Sequence, residues 1–340
     1  MEKSKNSAVV IGTILETNIK YDPEQENFFD ESIKGAYVKK DFKNPAMLKV
    51  GVERELDGKK VTATVKVNMD NIFKVYKTKS GETKDVSTFK EIEKILNSPN
   101  EGVGLPIRIS GSFDENKYST DDYKISRSNI FKGQYIGLSN IDVANSKAEG
   151  ELTGIIAGLG AETVGEDETG RLILNLYTIK YVSDGVPNVR LLNLIVPKQF
   201  ADIFEREFSV GDAVCLDVEM KDVQHGKVEA KTESRGFSDR EVKTTSGYTA
   251  TEFHVFNGWV LNEGESGYID EEELATLKKA YQITCDSLIQ KKKDKANGTK
   301  TTSNKSIGSR TVDNDVNNPF ASEGGLLDID EDVNPFNPFS

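Results

Sequence analysis

The chain is poor in the residues that build disulfide frameworks, metal sites and membrane spans. Its 340 residues include 2 cysteines, 2 histidines and 1 tryptophan. Cys215 and Cys285 lie in unrelated segments, which excludes a disulfide framework and predicts reduced thiols in a cytosol. No run of about eighteen apolar residues occurs, and the N-terminal residues lack the apolar core of a secretory signal. We therefore expect a cytoplasmic protein with no membrane partner, in a bacterial cell or in an infected host.

The motifs of common enzyme classes are also missing. The sequence has no GxxxxGKS/T loop, no HExxH helix and no CxxC pair, so it predicts neither a phosphate-binding loop nor a closed metal site. His225 and His254 are scattered and predict neither a zinc site nor a catalytic triad. Glu-x-Lys spacings within Val218–Lys221 and Val228–Lys231 occur in some metal-dependent nucleases, but about five such matches are expected by chance here. We expect no enzyme activity, no cofactor and no metal.

The charge is negative overall but unevenly distributed. The net charge of the chain is −12. Residues 291–310 carry +6, whereas residues 311–340 carry −7 and contain no lysine or arginine. The body of the chain is therefore acidic, and any surface for nucleic acid must be a local basic stripe.

Residues 8–145 alternate between apolar and polar positions in a way that predicts strands. The polar stretch Asp22–Pro45 is too irregular for a core element, and Ile72–Val86 is predicted to extend the second run of a hairpin and turn at Ser80-Gly81. Asp57-Gly58 suits the turn of that hairpin. The predicted order is β-β-β-α-β-β, with these elements: strand Ala8–Tyr21, hairpin strands Met47–Leu56 and Lys59–Val67, helix Ser87–Ser98, and strands Gly104–Tyr118 and Asp122–Leu138.

A second block repeats this order. Gly12 and Gly154 occupy equivalent places in the first strand of each block, although loop lengths differ between the blocks. The residues from His225 to Gly247 are predicted to form a loop. The predicted elements are strands Glu149–Val164, Gly170–Val182 and Asn188–Val196, helix Pro197–Phe208, and strands Ser209–Val223 and Thr251–Asn262.

Five strands with one helix between the third and the fourth is the layout of the OB-fold, a small Greek-key barrel. An early glycine suits the strongly coiled first strand of such a barrel. We therefore predict a mostly β protein with two tandem OB-fold-like five-stranded barrels, with another β-rich arrangement as the alternative. The predicted segments are a first domain at 1–145, a second at 146–265, an amphipathic helix at 266–293, a flexible basic linker at 294–318 and a disordered acidic tip at 319–340.

The amphipathic helix begins after Asp270, a suitable N-cap, with acids in its first turn and lysines in its last. Its apolar stripe is predicted to dock on the second barrel or on a partner helix. That stripe consists of Leu274, Leu277, Tyr281 and Leu288.

The tip reads DIDEDVNPFNPFS from Asp328 to Ser340, and NNPF occurs upstream at Asn317–Phe320. Too little apolar surface is present there to offset the entropy of ordering the chain, so we expect disorder. Phenylalanine beside proline can fill an apolar pocket at a low entropic cost, and the carboxylates steer it toward a basic rim. The predicted partner-binding residues are Asp328, Asp330, Glu331, Asp332, Pro335, Phe336, Pro338 and Phe339.

This tip and the paired-barrel pattern resemble phage- or bacterial-type single-stranded-DNA-binding proteins of the OB class. The resemblance implies binding of single-stranded DNA with little sequence specificity during DNA replication, recombination and repair. It also implies that the tip recruits replication or recombination proteins. Two features depart from that pattern: Ser340 follows Phe339, and two barrels occur in one chain instead of a one-barrel tetramer. The oligomeric state stays open.

Three alternatives fit parts of the sequence. An acidic tail can serve only to increase solubility. OB-like barrels also suit a structural protein of a phage virion. Asn-Pro-Phe triplets are ligands of EH adaptor domains, although paired β-barrels without a lipid-binding signature fit an NPF adaptor poorly.

Binding of single strands needs aromatic rings for stacking and cations for phosphates, so stretches that interleave the two are candidates. The alternative is that strand aromatics pack in the core and alternating lysines form the wet face. Lys74 and Tyr76 share one face of their run, which favours them as an exposed pair. The nucleic-acid candidates are Tyr37, Lys39, Lys40, Phe42, Lys74, Tyr76, Lys77, Arg127, Phe131, Lys132, Tyr177, Lys180, Arg190, Arg235, Phe237 and Trp259.

Overall fold

The computed structural model describes residues 2–21, 37–38, 42–56, 59–69, 75–77, 83–85, 87–138, 145–164, 167–183, 185–235 and 238–296. The predicted linker beyond 296 and the acidic tip lie outside these ranges. The elements up to residue 138 are β1 (Asn6–Tyr21), β2 (Tyr37–Val38), β3 (Phe42–Leu56), β4 (Lys59–Asn68), β5 (Val75–Lys77), β6 (Thr83–Asp85), α1 (Ser87–Leu96), β7 (Pro106–Ser119) and β8 (Ile125–Gly137).

Five of these strands close into a barrel, as the sequence predicts. β1 pairs with β3, β3 with β4, β4 with β8 and β8 with β7, and β7 returns to β1. All these pairs are antiparallel except β4–β8, which joins Val67 to Phe131 and Asn68 to Lys132. We refer to β1, β3, β4, β7 and β8 as the first barrel. Its strand order, with α1 between the third and the fourth strand, is that of an OB-type Greek-key barrel.

The inside of the first barrel is filled by the apolar residues of each alternating run. Val50 and Val65 face each other across β3 and β4, and Ile109 and Phe131 fill the β7 and β8 side. The amphipathic helix α1 buries Phe89 and Ile92 against the same core. Because strand side chains alternate between faces, the polar positions between these residues form the outside of the barrel.

The remaining elements follow residue 145. They are β9 (Lys147–Val164), β10 (Asp167–Ser183), β11 (Val186–Val196), α2 (Lys198–Glu207), β12 (Ala213–Arg235), β13 (Ser238–Val260) and α3 (Leu274–Ala296). β9 pairs with β10, β10 with β11, β11 with β13 and β13 with β12, and β12 pairs with β9. We refer to β9–β13 as the second set.

The two groups of strands share their irregularities as well as their order. Gly12 of β1 and Gly154 of β9 occupy matching register positions, opposite Ile107 and Val214. An added Cβ would strike the carbonyl oxygen of Gly51 at the first and of Tyr177 at the second. Leu15 in β1 and Ala157 in β9 are each the extra residue of a β-bulge three positions later. Both first strands therefore bend in the same way.

The first barrel and the second set are joined by a continuous sheet. β1 pairs antiparallel with β9 from Asn6↔Leu152 to Ile11↔Lys147. One buried core extends across the junction, where the ring of Phe113 meets that of Phe253 edge-on at 4.9 Å. The strand pairing and this shared core hold the two parts as one body.

α3 begins with the predicted cap and lies on the second set. The Asp270 carboxylate accepts a hydrogen bond from the Glu272 amide, and Glu273 accepts from the Asp270 amide, which completes a capping box. Leu277 and Tyr281 are buried, as the predicted stripe requires. The helix ends at Ala296, so it extends into the segment predicted as linker from residue 294.

Three local predictions were wrong. Residues 225–247, predicted as a loop, continue β12 and β13 as a two-stranded ribbon that pairs out to Arg235↔Ser238. The region 72–86 does not lengthen β4, which ends at Asn68; instead β5 pairs with both β2 and β6 in a separate three-stranded sheet. β3 also begins at Phe42, within the stretch predicted to lack core elements. These strands are polar, so the local sequence pattern did not predict them. Their stability comes from pairing with distant segments.

Replacing Gly12 or Gly154 with alanine should destabilise the protein. The new methyl group would meet a backbone oxygen that cannot move without breaking strand pairing, so we expect each variant to lose about 3 kcal/mol of unfolding free energy. Urea denaturation followed by circular dichroism measures this loss. Gly137→Ala is the matched control, because no atom lies within 4 Å of its added Cβ. Equal stability of all three variants would contradict the close crossing.

Candidate nucleic-acid interface

The outer surface of β1, β3 and β4 is partly exposed: Leu15 and Thr62 are exposed, whereas Thr13, Lys49, Thr64 and Lys66 are half-buried. Leu48, Val50 and Val65 point into the barrel, so the residues between them point outward. The described helices pack elsewhere: α1 on β8, α2 on β10 and β11, and α3 on β11 and β7. We name this surface the first face and define it by Thr13, Leu15, Lys49, Gly51, Glu53, Thr62, Thr64 and Lys66.

The first face carries a pair of lysines with small residues beside them. Lys49 and Lys66 are directly paired across β3 and β4, and Gly51 is paired with Thr64. Leu15, the bulged residue of β1, is 43% exposed next to Gly51. A flat surface of small residues beside two ammonium groups and one apolar side chain gives a base room to stack and a phosphate a cation to meet.

Two carboxylates balance these lysines. Lys49 Nζ lies 2.5 Å from Glu16 Oε2. Asp222 of β12 accepts a hydrogen bond from Thr251 at 2.8 Å; burial raises the pKa of Asp222, while Lys66 and Lys49 act in the opposite direction. A phosphate on this face would replace these carboxylates as the partner of the lysines.

Two of the sequence-predicted aromatic clusters meet in the small sheet. Tyr37 of β2 is paired with Tyr76 of β5, and Val38 with Val75. In the sequence, β2 comes between β1 and β3, and β5 comes between β4 and α1. The small sheet is formed by the connecting segments that follow strands β1 and β4 of the first face. The structure therefore pairs two clusters that are about 40 residues apart in the sequence.

Several predicted site residues are outside the described side chains. Lys39, Lys40, Lys74 and Phe237 lie outside the described residues, as do all eight predicted partner-binding residues of the tip. The structure describes only the strand pairing of Tyr37, Phe42, Tyr76, Lys77 and Arg235. Their contribution to binding stays a prediction.

Three of the candidates are buried and have no surface to offer a nucleotide. Phe131 is fully buried in the core of the first barrel. Tyr177 packs against Tyr281 of α3 with ring centroids 5.7 Å apart, and burial raises its pKa to about 12. Arg190 is buried, and its Nε donates to Asp114 Oδ1 at 2.7 Å. These three residues hold the fold together.

The remaining candidates lie at the surface but on other faces. Arg127, Lys132 and Lys180 are half-buried and already interact with neighbouring groups. Trp259 is 44% exposed on β13, where it is paired with Cys215. The structure does not bring Trp259 to the first face.

A groove of about 670 Å³ crosses the junction between β1 and β9. Tyr135, 66% exposed, and Phe256, 44% exposed, line its two sides. Its floor holds the carboxylates of Glu149, Glu151 and Asp217. Lys147 and Lys5 are ion-paired with the two glutamates. Three carboxylates against two lysines leave this groove with a net negative charge, which is unfavourable for a phosphate.

Sequence reasoning missed Lys49 and Lys66 because neither has an aromatic neighbour in the chain. The signal that could have found them is the predicted hairpin with its turn at Asp57-Gly58, which sets Lys49 opposite Lys66. Within the described ranges, no group of histidine, cysteine or carboxylate side chains is arranged to hold a metal ion. None of the described helices has both the length and the apolar character needed to cross a bilayer.

Removing Arg190 should lower stability and leave nucleic-acid affinity unchanged. Arg190→Met leaves the buried Asp114 carboxylate without its cationic partner, so we expect the loss of about 3–5 kcal/mol of unfolding free energy. The double variant Asp114→Leu with Arg190→Met should recover part of this loss, because no buried charge is left alone. Urea denaturation and binding of an oligo-dT strand below the melting temperature measure the two effects. A large drop in oligo-dT affinity in the folded variant would show that Arg190 contributes to nucleic-acid binding.

Comparisons with known proteins give a matching family and two similar solved structures. The wild-type single-stranded DNA binding protein from Thermus aquaticus is similar in structure at 10% identity and a TM-score of 0.44, covering 78% of this chain and 98% of that one. A deletion mutant of the same protein gives 10% identity and a TM-score of 0.42, covering 78% and 99%. No curated protein matches the sequence. The sequence pattern of the family described as YorF matches residues 6–295, and the chain therefore belongs to the YorF family.

Proposed function

We propose that this protein binds single-stranded DNA with little sequence specificity through the first face and the small sheet beside it. The observation that carries the proposal is the partly exposed outer surface of an OB-type barrel with Lys49 paired to Lys66. OB-folds bind oligonucleotides on the face of their second and third strands, and these strands are β3 and β4 here. Binding alone, without catalysis or a cofactor, is the activity we propose.

The mechanism combines stacking with phosphate contacts. Bases would stack on aromatic rings near the paired positions of Tyr37 and Tyr76, while Lys49 and Lys66 meet the backbone phosphates. Neither interaction reads the edge of a base, which accounts for low sequence specificity. The strand would be held apart from complementary strands during replication or recombination.

We also propose that the second set is a second OB-type barrel. Its strands pair in the same cyclic order, and its helix α2 also lies between the third and the fourth strand. The buried Phe253 pairs in parallel with Leu194, as Phe131 pairs with Val67. The shared bulges and glycines support the same interpretation.

The acidic tip would recruit replication or recombination proteins in the cytoplasm of a bacterium or an infected host. Phe336 and Phe339 beside prolines are suited to an apolar pocket, and the neighbouring acids to its basic rim. In the free protein the same acids can compete with DNA for the lysines, as Glu16 does for Lys49.

Neutralising the two lysines should weaken binding and reduce its dependence on salt. Each phosphate contact with a single strand contributes about 0.7 to the slope of log affinity against log salt, so Lys49→Gln with Lys66→Gln should lower the slope by about 1.4. Fluorescence anisotropy of labelled oligo-dT at several salt concentrations measures this. Lys94→Gln on α1 is the matched control, since that lysine is exposed and paired only with Glu91. An unchanged slope in the double variant would remove these lysines from the interface.

Deleting residues 319–340 should leave DNA binding intact or make it tighter. The deletion removes five acidic side chains that compete for cations, together with the phenylalanines proposed to engage partners. Binding of oligo-dT to both proteins measures the first effect, and capture of replication proteins from the host measures the second. Weaker DNA binding by the shortened chain would contradict the competition.

A further inference from the structure

The second set has a surface whose residues occupy the same register positions as Thr13, Gly51, Glu53, Thr62 and Thr64 of the first barrel. In the first barrel Thr13 is paired with Gly51, and Gly51 with Thr64. In the second set Ile155 is paired with Tyr177, and Tyr177 with Leu191. The glycines one residue earlier, Gly12 and Gly154, fix this correspondence. We name the surface formed by Ile155, Tyr177, Ile179, Val189 and Leu191 the second face.

The two faces have opposite chemistry. The first face has threonine, glycine and glutamate at the positions where the second face has isoleucine, valine, leucine and tyrosine. The lysine pair Lys49–Lys66 matches the pair Asn175–Asn193 of the second set. All five residues of the second face are buried in one apolar cluster with Leu277, Ala280, Tyr281 and Cys285 of α3. The second face is therefore covered by the chain's own helix.

α3 is held there by polar contacts as well as by apolar burial. Tyr281 Oη donates to Glu115 Oε2 of β7 at 2.8 Å, and Lys117 Nζ lies 4.2 Å from the centre of the Tyr281 ring. Near the end of the helix, Lys292 Nζ lies 2.7 Å from Asp121 Oδ1. These contacts link α3 to the β7–β8 hairpin of the first barrel. The helix therefore contacts both the first barrel and the second set.

We propose that α3 permanently occupies the second face, so that one chain binds a single strand through the first face alone. This inference rests on the proposed function and deepens it. The second face offers five apolar side chains and no cation of its own to a phosphate, and exposing it to water would be unfavourable. The second set then acts as a scaffold that positions β1 and supports the first barrel.

The thiol of Cys285 reports directly on whether α3 leaves this face. Cys285 lies on the buried side of α3, and burial raises its pKa to about 11, so it reacts slowly while α3 is docked. In a Cys215→Ser variant Cys285 is the only thiol. We expect its rate of reaction with a maleimide to stay unchanged when oligo-dT saturates the protein. A rate increase of tenfold or more on binding would show that DNA displaces α3 and would overturn the inference.

A matched pair of charge variants tests the same point on DNA affinity. Lys278 and Lys279 lie on α3 with exposed side chains, above the second face. Lys278→Gln with Lys279→Gln should leave affinity and salt slope unchanged, in contrast to the double variant of Lys49 and Lys66. Loss of affinity in the α3 variant would place DNA over the second set and overturn the inference while the proposed function stands. Failure of the unmodified chain to bind oligo-dT at low salt would overturn the proposed function itself.

Discussion

The close crossing of backbones at Gly12 and Gly154 is the constraint on which the rest of the structure depends. At both positions the next strand's carbonyl oxygen occupies the space that a side chain would need. This contact, followed by a bulge three residues later, lets β1 and β9 coil far enough to pair on both edges. β1 can then close the first barrel and also pair with β9, so one constraint both shapes the barrel and joins it to the second set.

Because β1 and β9 bend in the same way, residues at matching positions of the first face and the second face can be compared directly. Matching register positions carry Thr13, Gly51 and Thr64 in the first barrel and Ile155, Tyr177 and Leu191 in the second set. The two groups of strands share an order but differ in their surfaces: the first barrel has a polar outer surface, and the second set docks a helix on an apolar one. The side chains on the second and third strands of each group decide what that group contacts.

Much of the fold could be predicted from the sequence, because alternation, the early glycines and the Asp57-Gly58 turn are local signals. The closed barrel, α1 and the capped C-terminal helix followed from them. The ribbon beyond His225 and the pairing of Tyr37 with Tyr76 could not, since both depend on partners distant in the chain. The burial of Tyr177 and Arg190 could not be predicted either. The strand pattern alone does not show that α3 covers Tyr177 or that Asp114 pairs with Arg190.

The central claim is that a single strand of DNA lies on the first face and not on the second. Photocrosslinking of oligo-dU that carries 5-iodouracil, followed by mass spectrometry of the adducts, maps that contact directly. The account predicts adducts in peptides from residues 37–84 and none in β10, β11 or α3. Adducts confined to the second set, or to the groove between Tyr135 and Phe256, would contradict it.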